Sequence, residues 1–202
     1  MDNIIHTLIQ EQYKTQNVER PFIVGIDGLS GTGKTTIVQK LKQNNPKYIV
    51  IHIDEYIVTS KNRYDTGYEE WYEYYQLQWD VQCIKKCLFE ELHQNRTSLT
   101  LPYNNREKDS IDKQQILLPR NCIVIIEGVF LLREEWKAYY DYTIFLDCPR
   151  NTRYQRALNR DTYIGSYADR MAKYKRRYWL AEDYYMNLQQ PKSTANKVLD
   201  LH

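Results

Sequence analysis

Phe22-Ile23-Val24-Gly25-Ile26-Asp27-Gly28-Leu29-Ser30-Gly31-Thr32-Gly33-Lys34-Thr35-Thr36 decides the fold. An apolar, β-branched run leads into the pattern G-x-x-x-x-G-K-[ST], from Gly28 to Thr35, and helix-forming sequence follows. Strand, glycine loop and helix in that order make a P-loop, a cradle for phosphate. Gly28, Gly31 and Gly33 can adopt the positive φ that lets backbone N–H groups converge on an anion. The helix beginning near Lys34 points its positive end at the same place. Lys34 supplies a mobile charge for the β- and γ-phosphates, and the Thr35 hydroxyl can ligate Mg²⁺. Ser30, Thr32 and Thr36 complete the candidate nucleotide-binding set with Gly28, Gly31, Gly33, Lys34 and Thr35. The chain has 7 glycines, and four of them crowd between Gly25 and Gly33, so the loop is a concentrated feature and not a scatter of turns.

The remaining composition narrows the options. A chain of 202 residues with 42% hydrophobic and 27% charged residues reads as a single domain, 1–202, with a real core. A net charge of +2 gives no reason to expect a nucleic-acid partner. No apolar run approaches the length of a membrane span, and the N-terminal residues lack a basic region followed by an apolar stretch. A cytoplasmic protein with no membrane partner is the expectation. Cys83, Cys87, Cys122 and Cys148 form no C-x-x-C pair and read as free thiols. The four histidines show no ligand spacing. Self-association as a homo-oligomer stays open.

Along the chain, residues 2–15 predict an amphipathic helix and Lys34 to Gln43 the helix after the loop. Tyr48 to Ile53 predicts a second buried strand ending in Asp54-Glu55-Tyr56. Carboxylates at the carboxyl end of a strand in an open α/β sheet face the ligand crevice, so Asp54 can accept a proton from a substrate hydroxyl or help hold Mg²⁺. Residues 57–80 are aromatic and polar. Leu77, Val81, Ile84, Leu88 and Leu92 predict a helix over 76–94, beside which Asp80 reads either as an N-cap or as a ligand. Ser98 to Tyr103 is extended, and 104–114 reads as a charged loop or as part of a hairpin insert. Cys122 to Gly128 is an apolar strand ending in Glu127, the Walker B arrangement, whose acid orients water on Mg²⁺. Tyr142 to Asp147 is a further strand. Arg153, Arg156 and Arg160 share one helical face, the pattern of a lid that neutralises charge on a transferring phosphoryl group. A long helix over 168–188 and an edge strand over 197–201 close the chain. Alternating strand and helix patterns predict α/β architecture with a parallel sheet covered on both faces.

This ordered set resembles the uridine kinase-like branch of P-loop kinases, which includes uridine kinase, nicotinamide riboside kinase and phosphoribulokinase. The resemblance rests on Gly28 to Thr35, His52-Ile53-Asp54-Glu55-Tyr56, Gln78-Trp79-Asp80-Val81, Leu101-Pro102-Tyr103-Asn104, Glu127-Gly128-Val129 and the arginines after Asp147. It implies a P-loop NTPase fold with a five-stranded parallel sheet, a substrate-side insert over about 57–115 and a helical Arg-rich lid over about 150–167. It also implies roles. Asp54 matches the catalytic base, Asp80 the acid that holds ribose hydroxyls, Tyr103 and Tyr56 the acceptor side, and Glu127 the carboxylate near Mg²⁺. Arg153 and Arg156 match the lid arginines that act with Lys34. The implied reaction is ATP- and Mg²⁺-dependent phosphorylation of a small-molecule hydroxyl, with the 5′-hydroxyl of a nucleoside such as uridine foremost. Nicotinamide riboside, a sugar phosphate or a vitamin are the alternative acceptors, and a non-catalytic nucleotide-binding regulator is the alternative class. Departures from the family pattern lie on the acceptor side: Leu77-Gln78-Trp79-Asp80-Val81 where uridine kinases carry Asn-Phe-Asp-His-Pro, and Asn104-Asn105 where Asp-Phe is usual.

Overall fold

The computed structural model describes residues 1–16 and 18–201. Strands β1 (Phe22–Asp27), β2 (Ile49–His52), β5 (Ile123–Gly128), β6 (Tyr142–Asp147) and β7 (Lys197–Asp200) form a five-stranded sheet in the order β2-β5-β1-β6-β7. Every pairing in it is parallel. β3 (Ser98–Asn105) and β4 (Ser110–Leu117) form a separate antiparallel hairpin. The five-stranded α/β architecture expected from the sequence is present.

Period-two alternation sends successive side chains to opposite sheet faces. Ile23, Ile51, Val124, Ile126 and Phe145 belong to one apolar cluster, and Phe22, Val24, Ile26, Ile123, Ile125, Ile144 and Leu146 to the other. The second is closed by Ile5 and Ile9 of α1 (Asp2–Thr15) and by Val38 and Leu41 of α2 (Lys34–Asn44). The first is closed by a helix over 81–93, here α4, and by α6, which runs over 167–189; α4 contributes Leu88, Phe89 and Leu92, and α6 contributes Ala181 and Tyr185. β1 and β5 are buried along their whole length, which explains their unbroken apolar runs.

Three expectations are refined. The helix read over 76–94 is interrupted: α3 spans Glu70–Gln76, and α4 begins at Val81 because the Asp80 carboxylate caps the Cys83 N–H at 2.9 Å. The segment 104–114 is largely strand and tight turn, and β4 escapes the hydrophobic pattern because most of its residues are solvated. The last long helix contains a π-helical stretch at Tyr174–Tyr178, as α4 does at Lys85–Glu90. The four cysteines are free thiols, with Cys122 and Cys148 buried.

Helix α5 (Arg150–Arg160), where the sequence predicts a lid, lies directly on the phosphate loop. Gly31 has φ +77°, and a Cβ there would stand 2.3 Å from the Arg153 carbonyl oxygen. Gly31→Ala should therefore combine left-handed strain of order 1–3 kcal/mol with a backbone clash. At about 2–4 °C per kcal/mol for a domain of this size, a thermal melt should show Tm lowered by roughly 4 °C or more. An unchanged Tm would mean that α5 does not pack on the loop in solution.

Candidate active site

The carboxyl ends of β1, β2 and β5 converge on the phosphate loop, so their acidic termini share one mouth. Asp27 ends β1 and is fully buried. Its carboxylate accepts from the Gly28 N–H at 2.7 Å, from the Leu132 N–H at 3.3 Å and from the Tyr185 hydroxyl. Burial pushes the Asp27 carboxyl up, while the Tyr185 hydrogen bond and Lys34 pull the other way. Asp27 thus ties the root of the loop to the segment after β5 and to α6. Gly33, at φ +97°, turns the chain into α2. Lys34 is buried at the start of α2, and its ammonium donates to the carbonyls of Gly28 at 2.7 Å and Leu29 at 3.2 Å. The Thr32 hydroxyl donates to the Leu29 carbonyl at 2.6 Å.

Thr35 and Glu127 meet across the mouth: the Thr35 hydroxyl donates to Glu127 Oε1 at 3.0 Å. The same oxygen lies 2.6 Å from Nδ1 of His52, the residue opposite Glu127 in the β2–β5 register. Burial pushes Glu127 upward, but the His52 hydrogen bond, with Lys34 and Thr35, outweighs it and holds the carboxyl below its ordinary range. Reciprocally, the Glu127 hydrogen bond raises His52. Thr35 and Glu127 present hard oxygen atoms, and no group of three or more His, Cys, Asp or Glu converges among the described residues. That donor set fits Mg²⁺, which takes few protein ligands and shares the rest of its shell with water and phosphate.

Asp54 follows β2 in a 3-10 turn, Ile53–Glu55. Its side chain is open to solvent, yet protein surrounds its cleft; desolvation, then the charge of Glu127, pushes its carboxyl up, with Lys34, Arg106 and Arg160 opposing. Arg106, in the turn of the β3–β4 hairpin, donates to the Asp54 main-chain carbonyl at 2.9 Å. Tyr56 is buried and donates to Gln114 Oε1 of the same hairpin at 2.5 Å, and Tyr103 is half-buried in β3. Asp80 is exposed and engaged as the cap of α4.

The arginines differ from one another. Arg153 is 4% exposed: it donates from Nε to the Cys148 carbonyl at 3.2 Å and from one terminal nitrogen to the Ser30 carbonyl at 3.1 Å and to Glu182 at 2.8 Å. Glu182, from α6, also accepts from the Ser30 N–H at 2.8 Å. Arg153 and Glu182 together grip the back of the phosphate loop. Arg156 and Arg160 are exposed, and Arg160 pairs with Asp161. Thr36 stands exposed in the first turn of α2. A hollow of about 600 Å³ opens beside the loop, lined by Leu29, Arg150, Arg153, Met186 and Lys192 among others, and Asp54 is not part of its lining. Sequence reasoning missed His52 and Glu182. The register opposite Glu127 would have found the first; nothing local marks the second.

This geometry defines a P-loop fold of the nucleoside-triphosphate type. Residues 23–177 match the model of the phosphoribulokinase / uridine kinase family, and the chain belongs to that family. It is 30% identical over 122 residues to uridine-cytidine kinase C of Dictyostelium discoideum, a match covering 60% of this chain and 26% of that protein. It is 27% identical over 144 residues to the uridine kinase of Borrelia garinii subsp. bavariensis, covering 69% of this chain and 66% of that one. The solved structure of a possible uridine kinase from Bacillus stearothermophilus superposes with a TM-score of 0.78 at 36% identity, covering 97% of this chain and 99% of the other. Among the described residues, no helix is long and apolar enough to cross a membrane.

The two arginines are separable by experiment. Arg153→Ala leaves Glu182 charged and buried without its partner, which should cost about 3–5 kcal/mol in a denaturation curve. Arg156→Ala should leave that curve unchanged. Equal stability of the two variants would remove Arg153 from the clamp. The Asp54 carboxyl, in metal-free protein, should titrate above the ordinary Asp value of about 3.9, and Glu127→Gln should bring it down, because a neighbouring negative charge has been removed. Carboxyl ¹³C NMR across the acid range reads both.

Proposed function

We propose that the protein transfers the γ-phosphoryl group of ATP to a hydroxyl of a small molecule, with a nucleoside 5′-hydroxyl as the first candidate. The observation that carries this reading is the convergence of Lys34, Thr35, Glu127 and Asp54 on one mouth. The names of the relatives support the nucleoside acceptor.

The residues divide the work. The amides of Gly28 to Thr36 and the Lys34 ammonium bind the triphosphate. Thr35 and Glu127 would hold Mg²⁺, with Asp54 near enough in charge to contribute, and the positive charge supplied there would offset that of the phosphates. Asp54 orients the acceptor hydroxyl and takes its proton, for which it must be ionised. Arg156 covers the transferring group, while Arg153 keeps the loop in shape. Tyr56, Tyr103 and Asp80 line the acceptor side. The hollow beside Leu29 offers room for the rest of the nucleotide. Catalysis on this scheme is positioning and electrostatics, the usual route for phosphoryl transfer.

One observation favours a second acceptor class. Arg106 stands beside Asp54 and has no carboxylate partner among the described residues. That arrangement suits an acceptor bearing its own negative charge, such as a sugar phosphate.

An acceptor panel, followed by ADP release, tests the proposal. A ribonucleoside should release ADP in an acceptor-dependent manner. Asp54→Asn should cut turnover about 10²-fold or more while leaving ATP binding largely intact. ATP binding with no acceptor-dependent ADP release from any compound would favour a nucleotide-binding regulator, and unchanged turnover in Asp54→Asn would remove the base.

A further inference from the structure

We propose that His52 is a positioning residue of the metal–nucleotide site, holding Glu127 so that the Thr35 hydroxyl keeps its lone pairs for a divalent cation. The inference rests on the nucleotide-site reading given above and concerns a residue with no role in it so far. Three atoms carry the argument. His52 Nδ1 and Thr35 Oγ1 both meet the same oxygen, Glu127 Oε1, at 2.6 and 3.0 Å. A carboxylate only accepts, so Nδ1 carries the proton and Thr35 spends its single hydrogen on Glu127. A hydroxyl that has donated its proton still has two lone pairs. The chain His52→Glu127←Thr35 therefore fixes the rotation of the Thr35 hydroxyl and leaves Oγ1 as an acceptor-only atom, the state a cation needs. Oε2 of Glu127 has no hydrogen-bond partner among the described residues, so a second oxygen stays uncommitted.

The backbone supports the pairing. His52 is the last residue of β2 and sits in register with Glu127 on β5, so neighbouring parallel strands bring the two side chains together without a flexible connection. The Glu127 side chain is 6% exposed and that of His52 28%, so the histidine lies between solvent and a carboxylate that would otherwise be held on that oxygen by Thr35 alone. Outer partners of this kind, an imidazole on a metal-site carboxylate, alter metal affinity or activity by about 10–100-fold when removed.

Binding of Mn²⁺ in the presence of a non-hydrolysable ATP analogue, followed by electron paramagnetic resonance, tests the role without any acceptor. Four proteins are compared: wild type, His52→Leu, His52→Asn and Thr35→Ala. His52→Leu keeps bulk and loses the donor; His52→Asn keeps an N–H donor near the position of Nδ1. His52→Leu should weaken Mn²⁺ binding roughly 10–100-fold, with binding of the analogue in EDTA unchanged, and His52→Asn should recover most of the loss. Thr35→Ala should lose Mn²⁺ binding. Wild-type Mn²⁺ affinity in His52→Leu overturns the proposal, as does a failure of His52→Asn to recover. Equal loss of analogue binding in EDTA also overturns it, because His52 would then support the fold of the loop. If wild type binds neither analogue nor Mn²⁺, the nucleotide-site reading falls and this proposal with it; if it binds both but phosphorylates no acceptor, only the kinase reading falls.

Discussion

A buried ion pair at the back of the phosphate loop, Arg153 with Glu182, shapes what stands in front of it. Both groups are almost fully removed from water, and burial pushes the Glu182 carboxyl up even with the guanidinium beside it. Such a pair is weak evidence of stability as a whole, since desolvation offsets most of the attraction. Its value here is geometric. Glu182 accepts from the N–H of Ser30 and Arg153 donates to its carbonyl, so the peptides on both sides of one loop residue are held from two helices at once. Gly31, next in line, lies against the main chain of Arg153. The loop's remaining amides then have little freedom in where they point.

In front of the loop, two carboxylates occupy contrasting surroundings. Glu127 has a histidine, a lysine and a threonine on it and is held ionised. Asp54 is pushed toward protonation, first by desolvation and then by Glu127's negative charge. Opposite shifts in neighbouring acids are the electrostatic contrast that the proposed division of labour, a charged metal ligand and a proton acceptor, requires. Lys34 lowers both carboxyls, so the contrast comes from His52 and Thr35 on Glu127 and from desolvation at Asp54.

Much of this was legible in the linear sequence, for reasons that can be named. β1 and β5 are buried on both faces and so read as unbroken apolar runs, and the loop glycines mark it by conformational need. β4 was not legible as a strand because it is solvated and carries little hydrophobic alternation. The pairing of Arg153 with Glu182 was not legible beside its reading as a lid group, because Glu182 lies 29 residues further on in another helix. His52 read as a stray imidazole because its partner is 75 residues away and is reached only through the strand order, with β2 beside β5. Local chemistry is written in the chain; adjacency created by a crossover is not.

The β3–β4 hairpin divides its duties unevenly. Leu99 and Leu101 anchor β3 in the core, while β4 mostly faces water and meets the body through half-buried Ile116, the Tyr56–Gln114 bond and the turn contacts of Arg106 with the Asp54 carbonyl and Asp109 with Ser60. An outer strand so loosely invested can be rewritten without refolding what lies beneath. On the proposed function, evolution or a protein engineer can therefore exchange the vocabulary of molecules presented to Asp54 while the triphosphate grammar of the loop stays as it is.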